Sequence, residues 1–333
     1  MPTRRTFLGS LAVPVVACVS THDDSGDRSD GVVLQGTTDE PQDAITSNED
    51  FYRVAISGFE PDEEWLAAWT LVIGDEDGNE RTLTLPDLLA LGATEQERTL
   101  SCIGSGSGRT SGNARWTAIR LDSLLEALDL SPDLRLEWVR FTSGDGYSTS
   151  LPRTDLDAGL ALATGMNGVP LPTNHGAPLR ALVPGRYGMK NPKWITRIDF
   201  VEELELGFWE ARGWSQTAEY LVQSWFRSPT YGAAVSAAGV YLKGIAFAGE
   251  AGIERVDLSD DDGETWKEAG ISYRGGPGVW TLWQLFWVPP AAGSYSLLVR
   301  ATAADGRVQG DTELYDTDLD GLERFDTCLV VAE

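Results

Sequence analysis

From Trp69 onward, apolar and polar positions alternate along the chain: Thr70-Leu71-Val72-Ile73-Gly74, the polar run Asp75-Glu76-Asp77-Gly78-Asn79, then Arg81-Thr82-Leu83-Thr84-Leu85. Successive strand side chains face opposite ways, so two such runs flanking a Gly-containing turn predict a β-hairpin. Pro86 then falls in the first turn of a short predicted helix, Asp87–Leu91, where its missing N–H is no loss. Arg98–Ile103 is predicted as a strand that delivers Cys102 into a glycine-rich loop, Gly104–Gly112. Leucines at helical spacing mark Leu121–Leu128 as a helix, while Leu134–Thr142, Leu179–Pro184 and Trp194–Val201 read as strands. Strands interleaved with short helices predict a mixed α+β domain from about Asp50 to Trp225, with bounds set at 49–227.

After Ser228-Pro229 the pattern becomes all strand: Val240–Phe247, Ile253–Ser259, Trp280–Val288 and Tyr295–Ala301. Turn-rich segments such as Asp260-Asp261-Asp262-Gly263 divide them, which predicts an immunoglobulin-like β-sandwich over 228–333. The fold class is therefore α+β, a mixed α/β domain followed by a sandwich. Twelve tryptophans invite a carbohydrate platform, but Trp280, Trp283 and Trp287 fall inside strand patterns, which assigns them to core packing.

The N-terminus reads as an address. Arg4-Arg5-Thr6-Phe7-Leu8-Gly9 is a twin-arginine pattern, followed by a short apolar stretch ending in Val15-Val16-Ala17-Cys18. Residues 1–18 are thus expected to be an export segment, with Cys18 the candidate for a lipid anchor. Residues 19–48 hold few large apolar side chains and cannot offset their ordering entropy, so they are expected to form a disordered polar tether. The expected destination is the periplasm or the cell surface, with membrane contact only through the lipid on Cys18.

Charge and residue inventory remove several function classes. A net charge of -25 argues against nucleic acid, whose phosphates need clustered positive charge. No apolar run reaches the ~18 residues of a spanning helix. His22 and His175 are the only histidines, and His22 lies in the tether, so a zinc built on two or three histidines is excluded. The same inventory excludes an internal bis-histidine haem. Cys18, Cys102 and Cys328 cannot make a disulfide framework.

Cys102, at a strand end beside Gly104, Gly106, Gly108 and Gly112, could be a nucleophile, a metal ligand or a buried core residue. Its context narrows the choice. Cys102-Ile103-Gly104, then Ser111-Gly112-Asn113-Ala114-Arg115-Trp116-Thr117 and Arg120-Leu121-Asp122-Ser123-Leu124-Leu125, resembles the cofactor segment of sulfite-oxidase-like molybdopterin enzymes. His175-Gly176-Ala177-Pro178-Leu179-Arg180 is similar to their His-Gly-x-Pro-x-Arg element. Val183-Pro184-Gly185 leading to Asn191-Pro192-Lys193-Trp194 resembles their Val-Pro-Gly…Val-Lys-Trp-Leu stretch. Gly244-Ile245-Ala246-Phe247 and Asp262-Gly263-Glu264-Thr265-Trp266 resemble the family's dimerisation domain, implying a homodimer through the C-terminal domain.

The resemblance implies a sulfite oxidase fold and a Mo-molybdopterin cofactor whose molybdenum is ligated by Cys102. It implies cofactor contacts from Tyr52, Arg53, Asp145, His175, Arg180, Asn191, Pro192 and Lys193. A soft thiolate suits such a metal. Arg180, Arg186, Lys190, Lys193 and Arg197 form the most basic stretch of the chain, free of acids, where a cofactor phosphate and an anionic substrate would find charge-assisted hydrogen bonds.

Two substrate-facing features depart from true sulfite oxidases. Their asparagine and paired arginines after the metal cysteine become Gly104-Ser105-Gly106-Ser107-Gly108 with Arg109 displaced, and their pocket tyrosine segment becomes Arg212-Gly213-Trp214-Ser215. Arg109 and Trp214 are therefore the substrate-side candidates, and the expected reaction is two-electron oxygen-atom transfer on a small anionic or sulfur-containing molecule, with sulfite itself disfavoured. No haem or flavin motif is visible, so a separate electron carrier such as a cytochrome is expected. The competing reading is a lipid-tethered surface scaffold that keeps the fold without catalysis.

Overall fold

The computed structural model describes residues 43–104, 110–310, 320–321 and 324–333. The Arg4-Arg5 segment, Cys18, most of the expected tether and Arg109 lie outside the described residues. The last tether residues do not follow expectation: Asp43 to Asn48 packs as an ordered strap. Thr46 N–H donates to Asn113 O (2.7 Å), and Ala44 O accepts from Asn113 Nδ2 and Trp280 Nε1, each at 2.9 Å. Satisfied backbone groups, with Ala44 packed against a neighbouring apolar cluster, hold it.

The N-terminal unit contains ten strands: β1 (Leu71–Asp75), β2 (Glu80–Leu83), β3 (Thr94–Ser101), β4 (Ser111–Arg120), β5 (Trp138–Ser143), β6 (Ser148–Pro152), β7 (Ala161–Met166), β8 (Val169–Pro170), β9 (Arg180–Leu182) and β10 (Ile195–Val201). One sheet has the order β2-β1-β10-β5-β6, and another runs β3-β4-β7-β8 with β9 also on β7. Helices are few and short: α1 (Glu63–Ala68), α2 (Leu85–Ala90) and α3 (Leu121–Ala127). The balance lies further toward sheet than the sequence suggested. Thr84 caps α2 in a capping box with Asp87, which starts the helix two residues earlier than predicted. The main core packs Leu71, Ile73, Phe141, Ile198 and Phe200 of the first sheet against Leu121, Leu124 and Leu125 of α3.

Nine strands follow: β11 (Gln223–Ser228), β12 (Ala233–Val235), β13 (Val240–Phe247), β14 (Ile253–Ser259), β15 (Lys267–Glu268), β16 (Gly270–Tyr273), β17 (Thr281–Trp287), β18 (Gly293–Ala303) and β19 (Asp326–Ala332). They form two sheets, β11-β13-β17-β16 and β12-β19-β18-β14-β15, whose inner faces share one core that includes Leu242, Trp283, Val256, Val299 and Val330. β11 precedes the expected break at Ser228-Pro229 yet pairs antiparallel with β13, so the C-terminal sheets begin before residue 228. Trp280 and Trp283 are fully buried, as core packing requires.

A further apolar cluster joins the two units: Ile103, Tyr187 and Met189 on one side, Tyr220, Trp225, Phe247, Trp280 and Leu282 on the other. It lies directly behind the end of β3, where Cys102 emerges.

Candidate functional site

The ends of several elements converge on one cavity. Cys102 follows the last residue of β3; its N–H donates to Thr110 O (2.9 Å) across the base of the loop, and 9% of the residue is exposed. Asp145 and Tyr147 come from the β5–β6 turn, where Asp145 Oδ1 accepts the Tyr147 N–H (3.0 Å). His175 ends a single 3₁₀ turn (Thr173–His175), Arg180 opens β9, and Met189 to Lys193 follow the Val183–Tyr187 loop. Tyr52 and the 54–56 segment cover the cavity, and Trp209 and Trp214 line it, packed edge to face with centroids 5.7 Å apart.

Two glycines make the convergence sterically feasible. Gly176 has φ +117, and a Cβ there would stand 3.0 Å from Lys193 Cβ and 3.1 Å from Arg180 Cβ. At Gly188 a Cβ would stand 2.6 Å from the Tyr52 hydroxyl and 3.3 Å from Ser101 O, so only glycine lets Tyr52 and the β3 end approach this closely.

The cavity's charges are poised for an anion. Arg180 is buried, and its Nη1 donates to His175 O (3.0 Å). Among the described residues its Nε has no hydrogen-bond partner, and neither does the buried Oδ1 of the neighbouring Asn174. Burial lowers Arg180 to about 10. Burial, then repulsion from Arg180, lowers Lys193 to about 7, with Asp145 opposing the shift. Burial is also the main cause that brings His175 down to about 4, so the ring is neutral at pH 7. His175 Nε2 lies 2.6 Å from Asn48 O; a carbonyl can only accept, so Nε2 carries the proton and Nδ1 is an acceptor. Burial raises Asp145. Burial disfavours the charged form of each of these groups, and a bound anion would restore the charge of Arg180 and Lys193.

Of the predicted site residues, Tyr52, Cys102, Asp145, His175, Arg180, Asn191, Pro192, Lys193 and Trp214 all line this cavity. Arg53 is exposed beside it; its charge reaches His175 and Lys193 without lining the wall. Asn191 presents no free side chain: its Oδ1 accepts Val183 N–H (2.7 Å) and its Nδ2 donates to Arg186 O (3.1 Å) and Tyr187 O (3.0 Å). It shapes the loop from within. The expectation of a five-cation ligand patch narrows to Arg180 and Lys193. Arg186 is paired with Asp155, Lys190 with the buried Glu210, and Arg197 with Asp199 and Glu80.

Sequence reasoning passed over Asn174, Tyr147, Met189 and Trp209, which also line the cavity. Tyr147 and Asn174 adjoin motif residues and could have been included on adjacency alone. Among the described residues no three His, Cys, Asp or Glu side chains converge, so a metal here finds one soft protein donor, Cys102. The orphaned Arg180 Nε and Asn174 Oδ1, the depressed cations and the single cysteine sulfur together fit a phosphorylated organic ligand that would supply the remaining metal donors. Cys102 and Cys328 are both outside any disulfide.

Comparison with known proteins follows the same division. Residues 58–209 match the oxidoreductase molybdopterin binding domain, and residues 215–317 match the Mo-co oxidoreductase dimerisation domain. The mitochondrial sulfite oxidase of Homo sapiens is 29% identical over 329 residues, covering 80% of this chain and 58% of that protein. The mouse enzyme is 28% identical over 298 residues, covering 72% of this chain and 53% of its own length. This chain thus spans little more than half of these relatives. The uncharacterized oxidoreductase YuiH of Bacillus subtilis is 27% identical over 175 residues, covering 52% of this chain and 84% of that protein. The crystal structure of the sulfane dehydrogenase SoxCD from Paracoccus pantotrophus shares the fold, with a TM-score of 0.76 over 98% of this chain and 93% of that one at 19% identity.

Proposed function

The chain belongs to the sulfite-oxidase-like family of molybdopterin oxidoreductases, and on that premise we propose that it is a Mo-molybdopterin enzyme carrying out two-electron oxygen-atom transfer on a small sulfur-containing or anionic substrate. The observation that carries this reading is the single buried sulfur of Cys102 in one cavity with Arg180, Lys193 and a neutral His175. When bound, the cofactor supplies oxygen-atom and two-electron chemistry at molybdenum.

Each part of the cavity has a task that its own geometry supports. Cys102 would ligate the metal from a strand end fixed on both sides. Arg180 and Lys193 would hold the anionic end of the cofactor by charge-assisted hydrogen bonds. His175, locked by Asn48 O, offers Nδ1 as a fixed acceptor to a ring N–H. Ile103, Met189, Trp209 and Trp214 add apolar surface to the same lining and would exclude water, which strengthens every polar contact inside. Trp214 is the substrate-side residue, and electrons leave or enter through a separate carrier such as a cytochrome.

We also propose that the C-terminal sandwich is immunoglobulin-like and forms a homodimer. The N-terminal twin-arginine pattern and Cys18 support export to the periplasm or cell surface with a lipid anchor. Metal and pterin content of the purified wild type and of Cys102→Ala tests the central reading. Wild type should carry molybdenum and pterin and show thiolate-to-metal absorption, and Cys102→Ala should lose that absorption and turnover while keeping pterin. A colourless, molybdenum-free wild type from a competent host would favour the scaffold reading instead.

A further inference from the structure

We propose that Tyr220 is a positioning residue through which the C-terminal unit sets the placement of Cys102 against the cofactor loop. The inference rests on the proposed role of Cys102 as metal ligand and adds a second unit to its support.

β3 is an edge strand, paired with β4 on one side only. Its outer edge would leave backbone donors unsatisfied beside the cavity, and the C-terminal unit covers them. Thr99 N–H donates to Gly278 O (2.9 Å), and Thr99 Oγ1 accepts Trp280 N–H (2.9 Å). Ser101, the residue immediately before Cys102, donates its N–H to the Tyr220 hydroxyl (3.1 Å). Tyr220 is 5% exposed, held edge to face between Tyr187 (4.6 Å) and Phe247 (4.7 Å). Its hydroxyl therefore has one place to be.

The same residue also reaches the other half of the site. Tyr220 N–H donates to Gly185 O (3.0 Å) and Tyr187 N–H to Ala218 O (2.8 Å), so 218–220 runs antiparallel to the 185–187 loop that leads into Met189 and Asn191. Glu250 reinforces the junction: its Oε1 accepts from Arg98 Nη1 (2.5 Å) and from Gly185 N–H (3.2 Å), tying the β3 strand and the loop to one carboxylate. Two segments that meet at the cavity only through space are thereby tied to one residue of a different unit, β3 through its hydroxyl and the loop through its backbone N–H. A shift of Tyr220 moves the thiolate relative to the residues that hold the organic ligand.

The test is Tyr220→Phe, which deletes one acceptor and keeps the ring packing. In cofactor-free protein, amide exchange at Ser101 and alkylation of Cys102, mapped by mass spectrometry, should both accelerate about tenfold, the scale of one buried hydrogen bond. Cys328 serves as the internal control and should be unchanged. In metal-loaded protein the thiolate-to-metal absorption band should shift, with kcat falling roughly tenfold and KM within about twofold, the pattern of lost alignment rather than lost binding. Glu250→Gln, which retains an acceptor oxygen, should show the same changes in weaker form. Unchanged exchange, Cys102 reactivity and absorption in a folded Tyr220→Phe protein would overturn the proposal. The cofactor-free measurements decide it even if the wild type proves to hold no molybdenum, an outcome that would instead defeat the functional reading.

Discussion

Lys193 makes the electrostatics of the cavity measurable. Its folded-state value of about 7 lies far below the ordinary 10.5, because burial and Arg180 disfavour its charge. Between those values the unfolded chain binds a proton that the cofactor-free fold does not. Stability must then rise with pH across this window, and the destabilisation is complete below it. Each pH unit is worth about 1.4 kcal/mol. From pH 7 to 9, starting half-titrated, the gain is about 2 kcal/mol, reduced to roughly 1–2 kcal/mol because the ammonium is only partly buried and solvent screens it. Neighbouring titrations do not separate the two proteins: His175 has largely lost its proton by pH 7, and Cys328, raised from 9.0 to about 11, opposes the gain only from near pH 9 and equally in wild type and Lys193→Met. The assay is urea unfolding of cofactor-free protein at pH 7, 8 and 9 for wild type and Lys193→Met. Wild type should gain stability and Lys193→Met should stay flat from a higher starting point. A bound anion restores the charge, so the loaded protein should lose the slope, and cofactor affinity should fall by up to about tenfold per unit above pH 7. Identical pH profiles for the two cofactor-free proteins would refute the reasoning.

Two further outcomes follow from features outside the cavity chemistry. Lys190 and Glu210 form a buried ion pair that also takes in Thr149 and Ser150 O, so Glu210→Gln should destabilise by about 3–5 kcal/mol in thermal or urea unfolding, whereas Lys190→Met with Glu210→Gln should recover much of that loss. Replacing both Arg4 and Arg5 by lysine should leave the enzyme in the cytoplasm, read by fractionation and immunoblotting; undiminished export would remove the twin-arginine assignment.

Periodicity made the hairpin β1–β2, α3, β10 and the sandwich strands β13, β14, β17 and β18 legible, because each carries strong alternation or leucine spacing. β7 escaped notice because Ala161-Leu162-Ala163-Thr164-Gly165-Met166 is built from small residues with weak strand preference. β4 was obscured by glycines that suggested a loop reaching residue 112. β5 was placed too early: Leu134 is exposed in a turn, and pairing begins at Trp138. The site was legible through its motifs, since most motif residues line the cavity. Which cations were free was not legible. Arg186 is neutralised by Asp155, 31 residues earlier, and Lys190 by Glu210, 20 residues later, pairings that only the folded chain creates.

The strap from Asp43 to Asn48 bears on how this protein can be handled. Six residues, with Ala44 packed against the apolar cluster between the units, clasp Asn113 on β4, Trp280 in the distant sandwich and, through Asn48 O, the imidazole of His175. Asn167 adds a second clasp by donating to Thr46 O and Asn48 Oδ1. Trimming an expression clone to the visible start of the first domain at Asp50 would cut away the acceptor that sets the histidine tautomer. Such a product could purify well and still misplace the ring that faces the cofactor, so useful truncations stop short of Asp43.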